Sequence, residues 1–170
     1  MNIKFFIREI PDWPKAGVNF KDITPLLENK EAFKYVIDKL AGQFENEKPD
    51  KVVGIDARGF LLAAPVAYKL GCGLSIIRKQ GKLPYKTIGR DYSLEYASNI
   101  IEMHEDTIKK GEKAVLIDDV LATGGTARAA VDLIEKLGGE VAGIGFLIDL
   151  TFLNGKEKLK DYKIYSLIGY

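Results

Sequence analysis

Asp118 and Asp119 stand side by side at the end of an apolar run, Val115-Leu116-Ile117, and lead into Val120-Leu121-Ala122-Thr123-Gly124-Gly125-Thr126-Ala127. The run reads as a buried parallel strand, the small and hydroxyl residues as a loop, and the segment after the loop as a helix. Two glycines and two threonines let several backbone N–H groups and hydroxyls face one anion. The start of the helix adds the positive end of its dipole. Adjacent carboxylates at the end of a buried strand are costly unless hydrogen bonds or a cation compensate them. They suit a neighbour rich in hydroxyls rather than a second phosphate. A phosphate joined to a vicinal diol is a sugar phosphate, and ribose 5-phosphate fits that description most simply. The same order is also the ordinary junction of a doubly wound sheet, where most such turns bind nothing. Two phosphate motifs are absent: no Gly-Lys-Ser/Thr comes after the glycines, and there is no G-x-G-x-x-G.

Two further strand ends carry polar chemistry. Asp56-Ala57-Arg58-Gly59 sets an acid, a guanidinium and a glycine at a strand-to-helix turn, where exposed amides and an arginine fork suit pyrophosphate oxygens. Arg78-Lys79 opens a run to Arg90 that holds five basic residues and no acid. Gly81, Pro84 and Gly89 give it the character of a long mobile segment (about 79–95) able to close over a site and exclude water. Each feature alone is explained by solvation or a surface ion pair. Together they point to one shared site at the carboxyl ends of the strands of an open α/β sheet.

The elements that must position these residues alternate along the chain. Phe33, Val36, Ile37, Leu40, Ala41 and Phe44 follow helical spacing. Lys51–Ile55 reads as a strand, then a helix runs to Leu70, with Pro65 tolerable only in its first turn or two. Strands are expected at Leu74–Ile77, Val115–Ile117, Val141–Ile148 and Ile164–Ile168. Ala127, Ala130, Val131, Ile134 and Leu137 mark a helix stopped near Gly138. The expectation is one α/β domain over 1–170 with a mainly parallel sheet flanked by helices. A formal charge of +1 offers no general attraction to nucleic acid or membrane. The lone Cys72 reads as a small buried hydrophobe, and with no signal peptide or apolar span the expected location is cytoplasmic. Trp13 and His104 read as packing or surface residues.

The segment from Val115 to Ala127 resembles the 5-phosphoribosyl-1-pyrophosphate (PRPP) motif of type I phosphoribosyltransferases, in the variant of the adenine phosphoribosyltransferases. The resemblance extends over nearly the whole chain. It implies the type I phosphoribosyltransferase fold, with a small N-terminal hood (about 1–27). It implies that Asp118 and Asp119 accept the ribose hydroxyls and that Ala122, Thr123, Gly124, Gly125 and Thr126 wrap the 5′-phosphate. Asp56, Ala57 and Arg58 correspond to the pyrophosphate loop, with a cis peptide at Asp56–Ala57 and Arg58 also lining the purine pocket. Arg78, Lys79 and Lys82 would contact pyrophosphate, some of them across a dimer interface. In Ser93-Leu94-Glu95-Tyr96 the resemblance places a catalytic glutamate, Glu95, that manages the purine's proton, with Tyr96 beside it at the substrate.

Gly17-Val18-Asn19-Phe20-Lys21 resembles the hood that closes over adenine. Phe20 would stack on the base, the main chain of Asn19 and Lys21 would read its edge, and Val18 and Leu150 would line the pocket. Lys21 stands where arginine is commoner, a change that matters at a planar or bidentate site. The implied reaction is adenine plus PRPP to AMP plus pyrophosphate, with Mg²⁺ held mainly by PRPP oxygens, in a homodimer. A phosphoribosyltransferase for another purine (xanthine or hypoxanthine–guanine) could share the aspartate–glycine loop. A PRPP-sensing regulator would need a nucleic-acid-binding element for which the chain has no length to spare.

Overall fold

Neighbouring residues of the inner strands point to opposite faces, and the packing obeys that alternation. The computed structural model describes residues 1–94 and 97–170. In it Lys51–Ile55 forms β3, which comes after a two-stranded antiparallel ribbon of β1 (Arg8–Ile10) and β2 (Phe20–Asp22), a short α1 (Thr24–Glu28) and α2 (Lys30–Gly42). Then come α3 (Arg58–Leu70), β4 (Gly73–Lys79), β5 (Thr87–Leu94), β6 (Ala97–His104), β7 (Lys113–Leu121), α4 (Gly125–Lys136), β8 (Glu140–Asp149) and β9 (Ile164–Gly169). Val52, Val115 and Ile117 pack with Val36 and Leu40 of α2 and Leu62 and Val66 of α3. Val53 and Leu116 pack on the other face with Ala130, Val131 and Ile134 of α4. This two-faced burial explains why the strands read as continuous apolar runs.

The main sheet has seven strands in the order β5-β6-β4-β3-β7-β8-β9. The β4-β3-β7-β8-β9 portion is parallel, whereas β6 joins β4, and β5 joins β6, antiparallel. After β3 the chain passes to β4 on one side and later returns to β7 on the other. The carboxyl end of β3 is therefore the switch point where open sheets of this kind collect ligands. Among the described residues no helix is long and apolar enough to cross a membrane.

Three expectations need correction. The segment expected as a mobile loop over about 79–95 is largely strand: Lys79 closes β4, and Thr87–Leu94 pairs with β6 as β5. Its basic residues and Gly89 obscure a two-residue alternation in which Ile88 and Tyr92 pack against buried Ile101 and Met103 of β6. Only 80–86 is left as connection. Pro65 is the eighth residue of α3, beyond the first two turns. The carbonyl it leaves without its helical partner belongs to Leu61, a residue 48% exposed on the outer face of the helix. Cys72 is half-buried rather than buried, although burial still pushes its thiol up.

Candidate active site

The cleft exists because two neighbouring strands differ in length. The β3–β7 register ends at Gly54 opposite Ile117, while β7 continues along β8 to Leu121. From Asp118 onward β7 has no β3 neighbour, and the space beside it falls under the loop that starts α3. Asp118 and Asp119 thus lie within the last stretch of β7, not beyond it. Asp118 Oδ1 accepts the Asp119 N–H at 2.9 Å. It lies so near α3 that a Cβ on Gly59 would stand 2.5 Å from it. Gly59 is therefore required by close approach, a constraint its sequence position does not advertise.

Arg58 links the parts of the site. Its Nη2 is 2.7 Å from Asp119 Oδ2, an ion-pair separation without the alignment of a hydrogen bond, so that buried oxygen lacks a hydrogen-bond donor. Its Nη1 donates to the Lys21 carbonyl at 3.0 Å, and its guanidinium lies 4.7 Å from the centre of the Phe20 ring. Burial raises the Asp118 carboxyl well above the usual range, and the charge of Asp119 adds to the rise. Burial also raises Asp119, but there the Arg58 guanidinium opposes it. Asp118 is the half-buried member at the cleft and Asp119 the more enclosed one. The pair resists carrying two charges until something positive or hydrogen-bonding arrives.

Asp118 and the residues from Val120 through Ala127 line a small cleft of about 70 Å³. Gly124, at φ +79°, precedes the first turn of α4, and no side chain caps that turn. Its backbone donors are thus left for an anion. Behind the loop stands Gly155, which sequence reasoning missed. A Cβ on Gly155 would be 2.3 Å from the Ala122 carbonyl oxygen, and one on Gly124 would be 2.3 Å from the Gly155 carbonyl oxygen. Two backbones in contact hold the loop's shape. The signal for Gly155 is three-dimensional, since nothing near Asn154-Gly155-Lys156 marks it.

The Asp56–Ala57 peptide is cis, as the family resemblance implies. Arg78 is drawn to this loop: Nε donates to Asp56 Oδ2 at 3.2 Å and Nη1 to the Lys82 carbonyl at 3.1 Å. Lys79 and Lys82 are exposed beside it. Arg90, from the same basic run, is turned away to Asp132 of α4 at 3.0 Å.

The hood ribbon brings Phe20 to Arg58, with Trp13 packed edge-on against Phe20 at 4.4 Å between ring centres. Val18 is half-buried and Asn19 exposed. Asn19 Nδ2 and Lys21 Nζ both donate to Glu9 Oε2, at 2.6 and 2.7 Å. The Lys21 side chain is buried at 7% exposure and points to Glu9, so its departure from arginine falls outside the cleft. Its carbonyl, expected to be available to a base edge, spends one lone pair on Arg58. Leu150 is half-buried and its N–H donates to Leu121 at the end of β7. Glu95 and Tyr96 lie outside the described residues. His104 is half-buried, edge-on to Tyr85. A larger cavity of about 430 Å³, lined by Lys4, Tyr35, Lys39 and Tyr165 among others, shares no residue with this cluster.

Phe20 and Lys21 of the hood and Asp119 of β7 thus meet around the Arg58 guanidinium of the Asp56 turn. The phosphoribosyl transferase domain model matches residues 23–168. An adenine phosphoribosyltransferase of Brachyspira hyodysenteriae is 53% identical over 170 residues, covering 100% of both chains. The crystal structure of adenine phosphoribosyltransferase from Thermoanaerobacter pseudethanolicus is 50% identical, with a TM-score of 0.96 over 99% of this chain and 98% of that one. That of Saccharomyces cerevisiae, complexed with adenine and D-2,5-dideoxy-2,5-imino-altritol 1,6-bisphosphate, is 34% identical, with a TM-score of 0.93 over 98% and 96%. A shared fold at such identity over the full chain leaves one assignment: the chain belongs to the phosphoribosyltransferase family, among its adenine phosphoribosyltransferases.

Proposed function

We propose that the protein transfers the 5-phosphoribosyl group of PRPP to adenine, giving AMP and pyrophosphate. Arg58 carries the reading. One guanidinium touches a carboxylate suited to a ribose and a hood carbonyl suited to a base, while resting on an aromatic ring. A reaction that joins a sugar phosphate to a planar base uses all three within one side chain's reach. The full-length relatives named for this activity, and the adenine bound in the yeast enzyme, support it.

In this reading the backbone donors of Ala122–Thr126 and the start of α4 hold the 5′-phosphate. The Asp119 oxygen without a hydrogen-bond donor takes a ribose hydroxyl, and Asp118 takes its neighbour. As the bond from C1′ to pyrophosphate lengthens, positive charge grows on the ribose ring, and these buried carboxylates stabilise it in a site of low dielectric. Asp56, Ala57, Arg78, Lys79 and Lys82 hold the departing pyrophosphate. Val18, Phe20 and Leu150 enclose adenine, and main-chain groups of Asn19 and Lys21 read its edge. Adenine N9 attacks the face opposite the leaving group, with Glu95 taking the purine's proton and Tyr96 beside it. No covalent enzyme intermediate is required.

Among the described residues no three His, Cys, Asp or Glu side chains gather as a metal cage. Mg²⁺ would be held mainly by PRPP oxygens and would neutralise charge on the pyrophosphate, with Asp118 and Asp119 as the protein carboxylates beside it. We further propose a cytoplasmic homodimer. The outward stripe Leu61, Ala64 and Tyr68 on α3, with Tyr68 at 89% exposure, supports the second copy. A nucleobase panel with PRPP and Mg²⁺ tests the activity. Adenine should be strongly preferred; turnover of hypoxanthine, guanine or xanthine in its place overturns the substrate while sparing the family.

A further inference from the structure

The proposed base pocket has two walls from distant parts of the chain: Phe20 and Lys21 on β2, and Leu150 after β8. Tyr170, the residue after β9, touches both. Its N–H donates to the Asp149 carbonyl at 2.9 Å, and its carbonyl oxygen accepts the Thr151 N–H at 3.0 Å and the Thr151 hydroxyl at 2.5 Å. Leu150 is thus clasped on both sides by one residue's main chain. The ring of the same residue lies 4.1 Å from Lys21 Nζ and 4.6 Å from Lys4 Nζ. Lys21 is the buried cation of the pair, and its other partner is Glu9 at 2.7 Å. A cation over a ring gains most where water is excluded.

We propose that Tyr170 is a positioning residue for base binding: its ring fixes the Lys21 ammonium while its main chain fixes Leu150, so the two walls keep one separation. The inference rests on the proposed adenine activity. It also gives Lys21 a purpose that does not involve substrate contact. A lysine reaches the ring face and Glu9 together with one compact ammonium, which the broad guanidinium fork of arginine would do differently. The consequence reaches the cleft through the main chain of Lys21 on β2, which in the proposed function reads the edge of the base.

The test is steady-state kinetics with adenine and PRPP varied separately, on the parent and on Tyr170→Phe, Tyr170→Leu and Lys21→Met. Phe keeps the ring and should match the parent. Leu keeps apolar bulk but no π face, and Met keeps the lysine's length but no charge. Each should raise KM for adenine roughly five- to tenfold, the scale of one partly desolvated cation–π contact, with KM for PRPP within about twofold. The double variant should be no worse than the poorer single, because both remove the same contact. An unchanged adenine KM in Tyr170→Leu, an equal rise for both substrates, or a Phe variant as poor as Leu overturns the proposal. If Tyr170→Leu does not fold, the same split in Lys21→Met decides. A parent that ignores adenine refutes the activity itself, whereas an active parent with indifferent variants refutes only the role of Tyr170.

Discussion

Gly155→Ala isolates the part of the phosphate cleft that lies farthest from its motif. Gly155 does not sit in the left-handed region, so alanine is conformationally acceptable there, and only space is at issue. The added Cβ would stand 2.3 Å from the Ala122 oxygen and 3.0 Å from the Gly124 nitrogen. Ordinary contacts begin near 3.4 Å, so one backbone must retreat by about 1 Å. Neither can rotate away as a side chain would. Overpacking of this kind costs about 1–3 kcal/mol, which for a chain of this size lowers Tm by roughly 2–12 °C. The kinetic effect should be larger than the loss of stability suggests. Displacing an anion-binding loop by about 1 Å can cost on the order of a hundredfold in rate. Calorimetry and kinetics at saturating adenine should show a folded protein whose kcat/KM for PRPP falls roughly thirty- to a hundredfold, with KM for adenine little changed. A folded variant with parental PRPP kinetics would refute the claim that backbone contact between Gly155 and the loop shapes the phosphate site.

Asp118→Asn should separate stability from activity. The raised folded-state carboxyl binds its proton more tightly than the unfolded chain does. Its contribution therefore favours folding in acid and is lost as pH rises from the ordinary 3.8 through the raised folded value. Asn keeps the acceptor for the Asp119 N–H and removes the charge. The unliganded variant should melt a few degrees higher at pH 7 than the parent, on the scale of about 1 kcal/mol, with a flatter pH dependence above pH 4. Calorimetry across pH 4–8 checks this, and a lower Tm at pH 7 counts against a strained carboxylate. Asp119→Asn should lower kcat/KM with PRPP more than tenfold, or about 1.4 kcal/mol; unchanged kinetics removes that residue from the site. Glu95→Leu should slow turnover while PRPP binding, read by titration, stays near parental. An unaltered rate and pH–rate profile would leave Glu95 without a proton role.

Where local pattern and final environment agree, the sequence was legible. The apolar runs Lys51–Ile55 and Val115–Ile117 are strands because both faces are covered, and the helical stripe Ala127–Leu137 faces a core. The segment from Thr87 to His104 was not legible. Its strands bury one face, on which Arg90 shares a row with Ile88 and Tyr92, while the other carries Asp91 and Glu102, and loop-like glycine and charge outweighed a weak alternation. The site divides in the same way. Asp118, Asp119 and the glycine–threonine loop announce themselves because they are contiguous. Arg58 could be named from its turn, but its hold on both Asp119 and the Lys21 carbonyl depends on chain segments 37 and 61 residues away. Gly59, Gly155 and Tyr170 matter through close approach or contact between distant segments, which residue type cannot signal.

Arg58 also determines what the resting site must give up. Its guanidinium occupies a face of Phe20, the ring expected to stack on adenine, and it is the cation that makes two adjacent buried carboxylates tolerable. A base that takes that face must displace the guanidinium, and a ribose that hydrogen-bonds to Asp119 competes with its ion pair. Each substrate therefore weakens a contact that holds Arg58 against the other. Arg58→Met tests this coupling: it frees the ring and leaves the carboxylates without their cation. Adenine should bind the unliganded variant no more weakly than the parent, while PRPP binding and turnover fall more than tenfold. Equal losses for both substrates would mean that Arg58 holds the base directly rather than guarding its place.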